Sequence, residues 1–264
     1  LEKAISSCKE KSILPKALIT VDIYGQSVDY DIIMEICNKN NIVVIEDAAE
    51  ALGSEYKGVK CGSFGKAGIL SFNGNKIVTT SGGGMLVSND REFVEQARFL
   101  SAQAREPKIH YEHKELGYNY RMSNLLAAVG RGQLAVLDER VKIKQEIFNK
   151  YKSTLGEVKG IEFMPMASYG ISNCWLTTLI INEEKTGFNR DSVIAALEKE
   201  NIESRPVWKP MHLQPLYEEF EYFISEKDDI SQRLFHNGLC LPSGTSLSNK
   251  DQEKIIDIIL SINP

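Results

Sequence analysis

Apolar and polar positions alternate along the chain in blocks that predict a layered α/β molecule. Residues 17–24 are β-branched and apolar and stop at Gly25, which predicts a strand. Residues 30–38 carry apolar side chains at helical spacing, and the run 42–45 resumes strand character before Glu46-Asp47-Ala48-Ala49-Glu50. This is a strand-helix-strand unit. Two parallel strands joined by a helix put their carboxyl ends on one edge, where open α/β sheets bind ligands, and Asp47 falls at that edge. Residues 67–72 and 84–88 predict further strands, and residues 90–100 a helix capped by Asn89 or Asp90. Residues 123–150 predict one long helix capped by Ser123, bridging two domains.

Beyond Gly156 and Gly160 the pattern changes to short strands at 161–164, 175–182 and 203–208, mixed with helices at 191–200 and 249–262. That texture is an α+β layer. The expected architecture is therefore a mostly parallel α/β large domain over residues 1–150 and a small α+β domain over residues 151–264. No internal repeat or low-complexity tract interrupts it.

Composition narrows the function. The 264 residues are 42% hydrophobic and 25% charged, which suffices for one large or two modest cores. A net charge of −5 provides no chain-wide basic surface for nucleic acid, and local clusters such as Lys142 and Lys144 read as solvated helix faces. The five cysteines are scattered without a C-x-x-C pair, which points to a reducing cytoplasm and away from a disulfide framework or zinc cage. No apolar run of about 18 residues or signal-peptide pattern is present, so no membrane partner is expected.

The chemistry centres on Lys76, in Ser71-Phe72-Asn73-Gly74-Asn75-Lys76, ahead of Gly82-Gly83-Gly84. A lone lysine near glycines is ordinarily a solvated loop residue. Here it follows Asp47 by 29 positions, with a strand leading into it. A lysine so placed can bind an aldehyde cofactor, and an aspartate at a strand's carboxyl end can pair with a pyridinium nitrogen. The glycines do not form a Walker loop, whose lysine would follow them. His110 and His113, three apart in a polar segment, lack an assigned third ligand, so no metal site is expected.

Five segments in order carry a family resemblance: Glu46 to Glu50, Ser71 to Lys76, Gly117-Tyr118-Asn119-Tyr120-Arg121-Met122-Ser123-Asn124, Arg205 to Pro215, and Gly238 to Gly244. Together they resemble the DegT/DnrJ/EryC1/StrS sugar aminotransferases, fold-type I enzymes that use pyridoxal 5'-phosphate. The wording is most similar to members that aminate UDP-linked 4-keto-6-deoxy-N-acetylhexosamines, the bacillosamine-type branch. The resemblance implies that Lys76 is the catalytic lysine and that Asp47 pairs with the ring nitrogen. It further implies that Glu50 lies near the ring oxygen, sharing a proton with it, and that Ser71 donates to the phosphate. Asn119 would reach the phosphate of a partner's cofactor across a homodimer interface, and His212 would line the substrate site. The substrates implied are a nucleotide-linked keto sugar and an amino-acid amine donor, with glutamate expected.

Against the family pattern the chain lacks an opening segment with an early phosphate-binding loop, so weaker cofactor binding is expected of it. Two alternatives follow. A sugar-nucleotide dehydratase of the same fold would carry histidine in place of Lys76, and a non-catalytic remnant would have lost part of the site.

Overall fold

The computed structural model describes residues 1–224 and 228–262. In chain order the helices are α1 (Glu2–Glu10), α2 (Tyr30–Lys39), α3 (Arg91–Ser101), α4 (Asn124–Leu134), α5 (Leu137–Leu155), α6 (Glu183–Thr186), α7 (Arg190–Lys199), α8 (Ile230–Asn237) and α9 (Asn249–Leu260). The strands are β1 (Ala17–Val21), β2 (Val43–Asp47), β3 (Glu55–Tyr56), β4 (Val59–Lys60), β5 (Ala67–Ser71), β6 (Gly84–Val87), β7 (Ile161–Phe163), β8 (Gly170–Ile171), β9 (Thr177–Ile181), β10 (Arg205–Pro206) and β11 (Gly238–Leu241). Two compact units result. One comprises residues 15–141 and 167–175, the other residues 1–14, 142–166 and 176–264, so that the chain passes between them more than once, one passage falling inside α5.

The first unit is built on a sheet of order β1-β2-β5-β6, parallel except for β6. Register sets Val21 beside Asp47 and Asp47 beside Ile69. Side chains alternate across a strand, so Asp47 and Ser71, two residues beyond Ile69, occupy the same face. Ile19 (63% exposed), Val21 and Val43 share that face and are open. The opposite face buries Thr20, Val44 and Glu46. A small sheet, β4-β3-β8, brings residues 170–171 back onto Glu55 and Tyr56.

The second unit has an antiparallel sheet of order β10-β11-β9-β7. Its central strands are buried throughout most of their length, and Leu179, Ile181, Leu239 and Leu241 meet Tyr151 and Leu155 of α5, Leu197 of α7 and Ile255 and Ile259 of α9. Ser248 caps α9 by accepting from Asp251 N at 3.1 Å, and Asn189 caps α7 by accepting from Ser192 N at 3.0 Å.

Three expectations are corrected. The single helix over 123–150 is two, because Val136 N bonds to Gln133 O, a tighter turn than the α-helical ladder. Ser123 does cap the first, accepting from Leu126 N. Lys144 is buried rather than solvated: its Nζ donates to Ser243 O at 2.7 Å, a carbonyl 99 residues away that periodicity cannot reveal. The strand over 203–208 shrinks to Arg205–Pro206, since a proline nitrogen has no hydrogen to donate to a ladder.

Leu197 is fully buried in the second core. Leu197→Ala should lower unfolding free energy by about 2 to 5 kcal/mol, read as a lower urea midpoint at unchanged slope.

Candidate active site

Asp47 ends β2, and its Oδ1 accepts from Ala49 N at 3.1 Å, which turns the chain and fixes the carboxylate at the strand edge. Ser71 ends the neighbouring β5, and its Oγ accepts from Asn73 N at 3.4 Å. Lys76 lies in the loop that follows. Thr80 N bonding to Phe72 O and Phe72 N to Gly83 O close that loop from both sides.

The Lys76 amine is largely withdrawn from solvent. Its Nζ stands 3.4 Å from Glu50 Oε1, with the two side chains 13% and 14% exposed, and 4.1 Å from the centroid of the Trp175 ring. The other Glu50 oxygen, Oε2, accepts from Tyr24 N at 2.7 Å. Tyr24 is buried in the left-handed region, φ +55°, an uncommon conformation for a bulky residue that the surroundings must enforce. The neighbouring Gly25, φ +88°, has no alternative: a Cβ there would lie 1.9 Å from Asn173 Oδ1.

Asn173 fastens the segment. Its Nδ2 donates to Glu50 O and Leu52 O, both at 2.9 Å, and its Oδ1 accepts from Trp175 N at 2.9 Å. Trp175 in turn donates its indole N–H to Asn75 O at 2.9 Å. Tyr24, Asn173 and Trp175 escape sequence reasoning, since none belongs to a spaced motif. The Cys-Trp pair in an otherwise polar stretch is the only available signal.

Asn119 is exposed, and its segment is tied to the end of α3 by Tyr118 N to Leu100 O and Tyr120 N to Ser101 O. His212 lies in the second unit. There its Nε2 meets Asp229 Oδ2 at 2.7 Å and its ring stacks on Tyr222 at 3.6 Å. Asp229 caps α8 through Gln232 N. Hydrogen bonds from Gln232 N, Ser231, Tyr222 and His212 outweigh the opposing cost of its burial and leave its carboxyl pushed down to about 2. The structure thus brings Asp47, Glu50, Ser71 and Lys76 into one unit and places His212 in the other.

Behind the sheet lies a buried acid pair. Asp22 accepts from Val28 N at 3.0 Å and Tyr30 Oη at 2.9 Å, while Glu46 accepts from Gly62 N and, at 2.7 Å, from Phe64 N. Donor atoms of Asp22, Glu46 and Cys61 lie within 4.8 Å of one another. Burial raises both carboxyls, Glu46 to about 7, and the neighbouring Asp22 adds to the rise at Glu46. Burial and the two carboxylates also push the Cys61 thiol and Tyr30 phenol up.

The profile of the DegT/DnrJ/EryC1/StrS aminotransferase family matches residues 1–260. The chain belongs to this family. EpsN of Bacillus subtilis (strain 168), named as a candidate pyridoxal phosphate-dependent aminotransferase, is 49% identical over 263 residues, 99% of this chain and 67% of EpsN. GDP-perosamine synthase of Caulobacter vibrioides is 37% identical over 91% of this chain and 64% of its own length. A crystal structure of a DegT DnrJ EryC1 StrS aminotransferase from Brucella abortus superposes with a TM-score of 0.88 at 30% identity, covering 98% of this chain and 68% of that one. The chain spans about two thirds of the length of these relatives. The family's cofactor is pyridoxal phosphate, and the donor set fits it. A carboxylate and a hydroxyl share one face at adjacent strand ends, and a sheltered amine follows in the next loop.

Below about pH 4.5 native and unfolded chains both hold the Glu46 proton and the pair's contribution is complete. As pH rises towards 7 the unfolded chain releases that proton while the native chain retains it, so stability falls across this window, by at most about 3 kcal/mol. Urea midpoints should therefore decline from pH 5 to 7.5. Asp22→Asn removes the neighbouring acid that adds to the rise at Glu46 and should flatten the decline; equal slopes in both proteins would contradict that contribution of Asp22.

Proposed function

We propose that the protein is a pyridoxal phosphate-dependent aminotransferase that moves an amino group from glutamate to a nucleotide-linked 4-keto-6-deoxy sugar in the cytoplasm. The observation that carries this reading is the sheltered Lys76 amine, held by Glu50 in the loop beyond the strand ends that carry Asp47 and Ser71. When bound, the cofactor supplies an electron sink for charge developing on the substrate carbon. Asp47 would hold the ring nitrogen protonated. Ser71 would donate to the phosphate. Lys76 would bind the aldehyde and, once displaced, carry a proton at Nζ to and from the substrate carbon. Glu50 Oε1 stands where it can hold that proton between transfers.

A UDP-linked N-acetylhexosamine is the preferred substrate by motif wording, and one relative, from Campylobacter jejuni, is named a UDP-4-amino-4,6-dideoxy-N-acetyl-beta-L-altrosamine transaminase at 30% identity. The GDP-perosamine synthases supply the competing nucleotide. Lys76 disfavours the dehydratase alternative. His212 remains a candidate substrate residue on the strength of its motif.

A homodimer completes the reading. Leu116, Tyr120 and Leu125 are each at least 75% exposed, and Tyr118 and Val129 about half, beside the exposed Asn119. Apolar exposure concentrated in so short a stretch fits a second copy of the chain, across which Asn119 would reach a phosphate.

Feeding ¹⁵N-glutamate with UDP- and GDP-linked 4-keto sugars should place label on the UDP sugar; label on neither would refute transamination. Lys76→Ala should lower transfer by about 10²- to 10⁴-fold while the fold persists. Asp47→Asn should cut turnover far more than cofactor loading, and an unchanged rate would reassign Asp47 to structure. Tyr120→Glu with Leu125→Glu should convert a dimer into a monomer in sedimentation velocity and weaken cofactor retention.

A further inference from the structure

Trp175 is buried, 1% exposed, and belongs to none of the motifs. Its ring faces the Lys76 ammonium at 4.1 Å, and the same indole donates through Nε1 to Asn75 O, the carbonyl immediately before Lys76. One side chain thus contacts both the carbonyl of the residue before the lysine and the lysine's own amine. The ring cannot tilt freely, because it lies at 14° to the Tyr24 ring with centroids 6.5 Å apart and its backbone N–H is fixed on Asn173 Oδ1. Glu50 Oε1 completes the enclosure on the ammonium at 3.4 Å, a long ion pair that leaves the aromatic face a substantial share of the holding.

We propose that Trp175 is a positioning residue: its ring is the resting place of the Lys76 ammonium whenever the lysine is not attached to cofactor. The proposal rests on the functional reading above and concerns regulation of the same site. Attachment joins Nζ to the aldehyde carbon and releases one water, and Nζ must give up its proton and leave the ring. On displacement by a substrate ammonium, the incoming nitrogen would give up its three hydrogens as it takes the place of Lys76, and Nζ would take up all three and settle back on the ring as an ammonium. Trp175 therefore lowers the cost of displacement and raises the cost of attachment.

The two cofactor forms separate this role from ordinary packing. Pyridoxal phosphate takes Lys76 off the ring, whereas pyridoxamine phosphate, an amine, leaves it there. Tryptophan carrying one, two or three fluorines keeps the indole N–H and the shape but drains the ring's negative face. It can be incorporated at Trp175 alone in a Trp208→Phe background. Equilibrium dissociation constants for both forms, by absorbance and by calorimetry, are then compared.

Pyridoxal phosphate should bind progressively tighter, on the order of three- to tenfold across the series, with pyridoxamine phosphate within about twofold. Trp175→Leu, checked for folding by circular dichroism, should shift the ratio of the two constants the same way. An unchanged ratio with attachment to Lys76 intact would overturn the role of Trp175 and leave the functional reading standing. No attachment in the unsubstituted protein would overturn both.

Discussion

The Glu50 carboxylate makes two bonds that the rest of the site depends on. One oxygen holds Tyr24 N in a left-handed turn after β1, and the other holds the Lys76 ammonium in the loop after β5. Two loops that are 52 residues apart in sequence are thereby tied through one side chain that itself follows β2. A carboxylate that is 14% exposed costs free energy unless both oxygens are occupied, so the bridge is self-reinforcing: losing either partner leaves the other facing a partly desolvated charge. This constraint explains why a bulky tyrosine tolerates positive φ, and how the lysine side chain is held in a sheltered place.

The two faces of the sheet differ in burial and in the acids they carry. Glu46 and Asp47 are consecutive, so they point to opposite sides. Asp47 shares its face with Ser71 and open apolar side chains, while Glu46 is buried behind with Asp22, Tyr30 and Cys61. The backbone couples them, since Asp22 N donates to Asp47 O at 3.0 Å. The raised Glu46 carboxyl therefore sits one residue from the carboxylate that would serve the cofactor. An acid pair with satisfied backbone donors gives a rigid floor at the cost of a pH window in which stability declines.

Much of the first unit was legible because its features are local. Strand periodicity, Asp90 and Ser123 as caps, and the carboxyl-edge position of Asp47 all follow from runs of fewer than a dozen residues. The missed features are long-range or conformational. Trp175 lies 100 residues from Asn75, and Asn173 lies 123 residues from Glu50. Neither distance leaves a trace in hydrophobic spacing. Lys144 looked solvated because a helical face does not reveal whether a distant carbonyl will cover it. The return of residues 167–175 to the first unit follows from short strand pairing at Gly170 and Ile171, too brief for any periodicity to register. Glu46 bears the clearest local signal of the buried pair, an acid closing an apolar strand beside another acid.

On this reading Lys76, and no other amine of the chain, engages the cofactor aldehyde. Incubation with pyridoxal phosphate, reduction with borohydride, proteolysis and peptide mass mapping test it directly. A single pyridoxyl adduct is expected on Lys76, abolished when that residue is alanine. An adduct distributed over exposed lysines such as Lys57 or Lys142, with Lys76 unmodified, would contradict it.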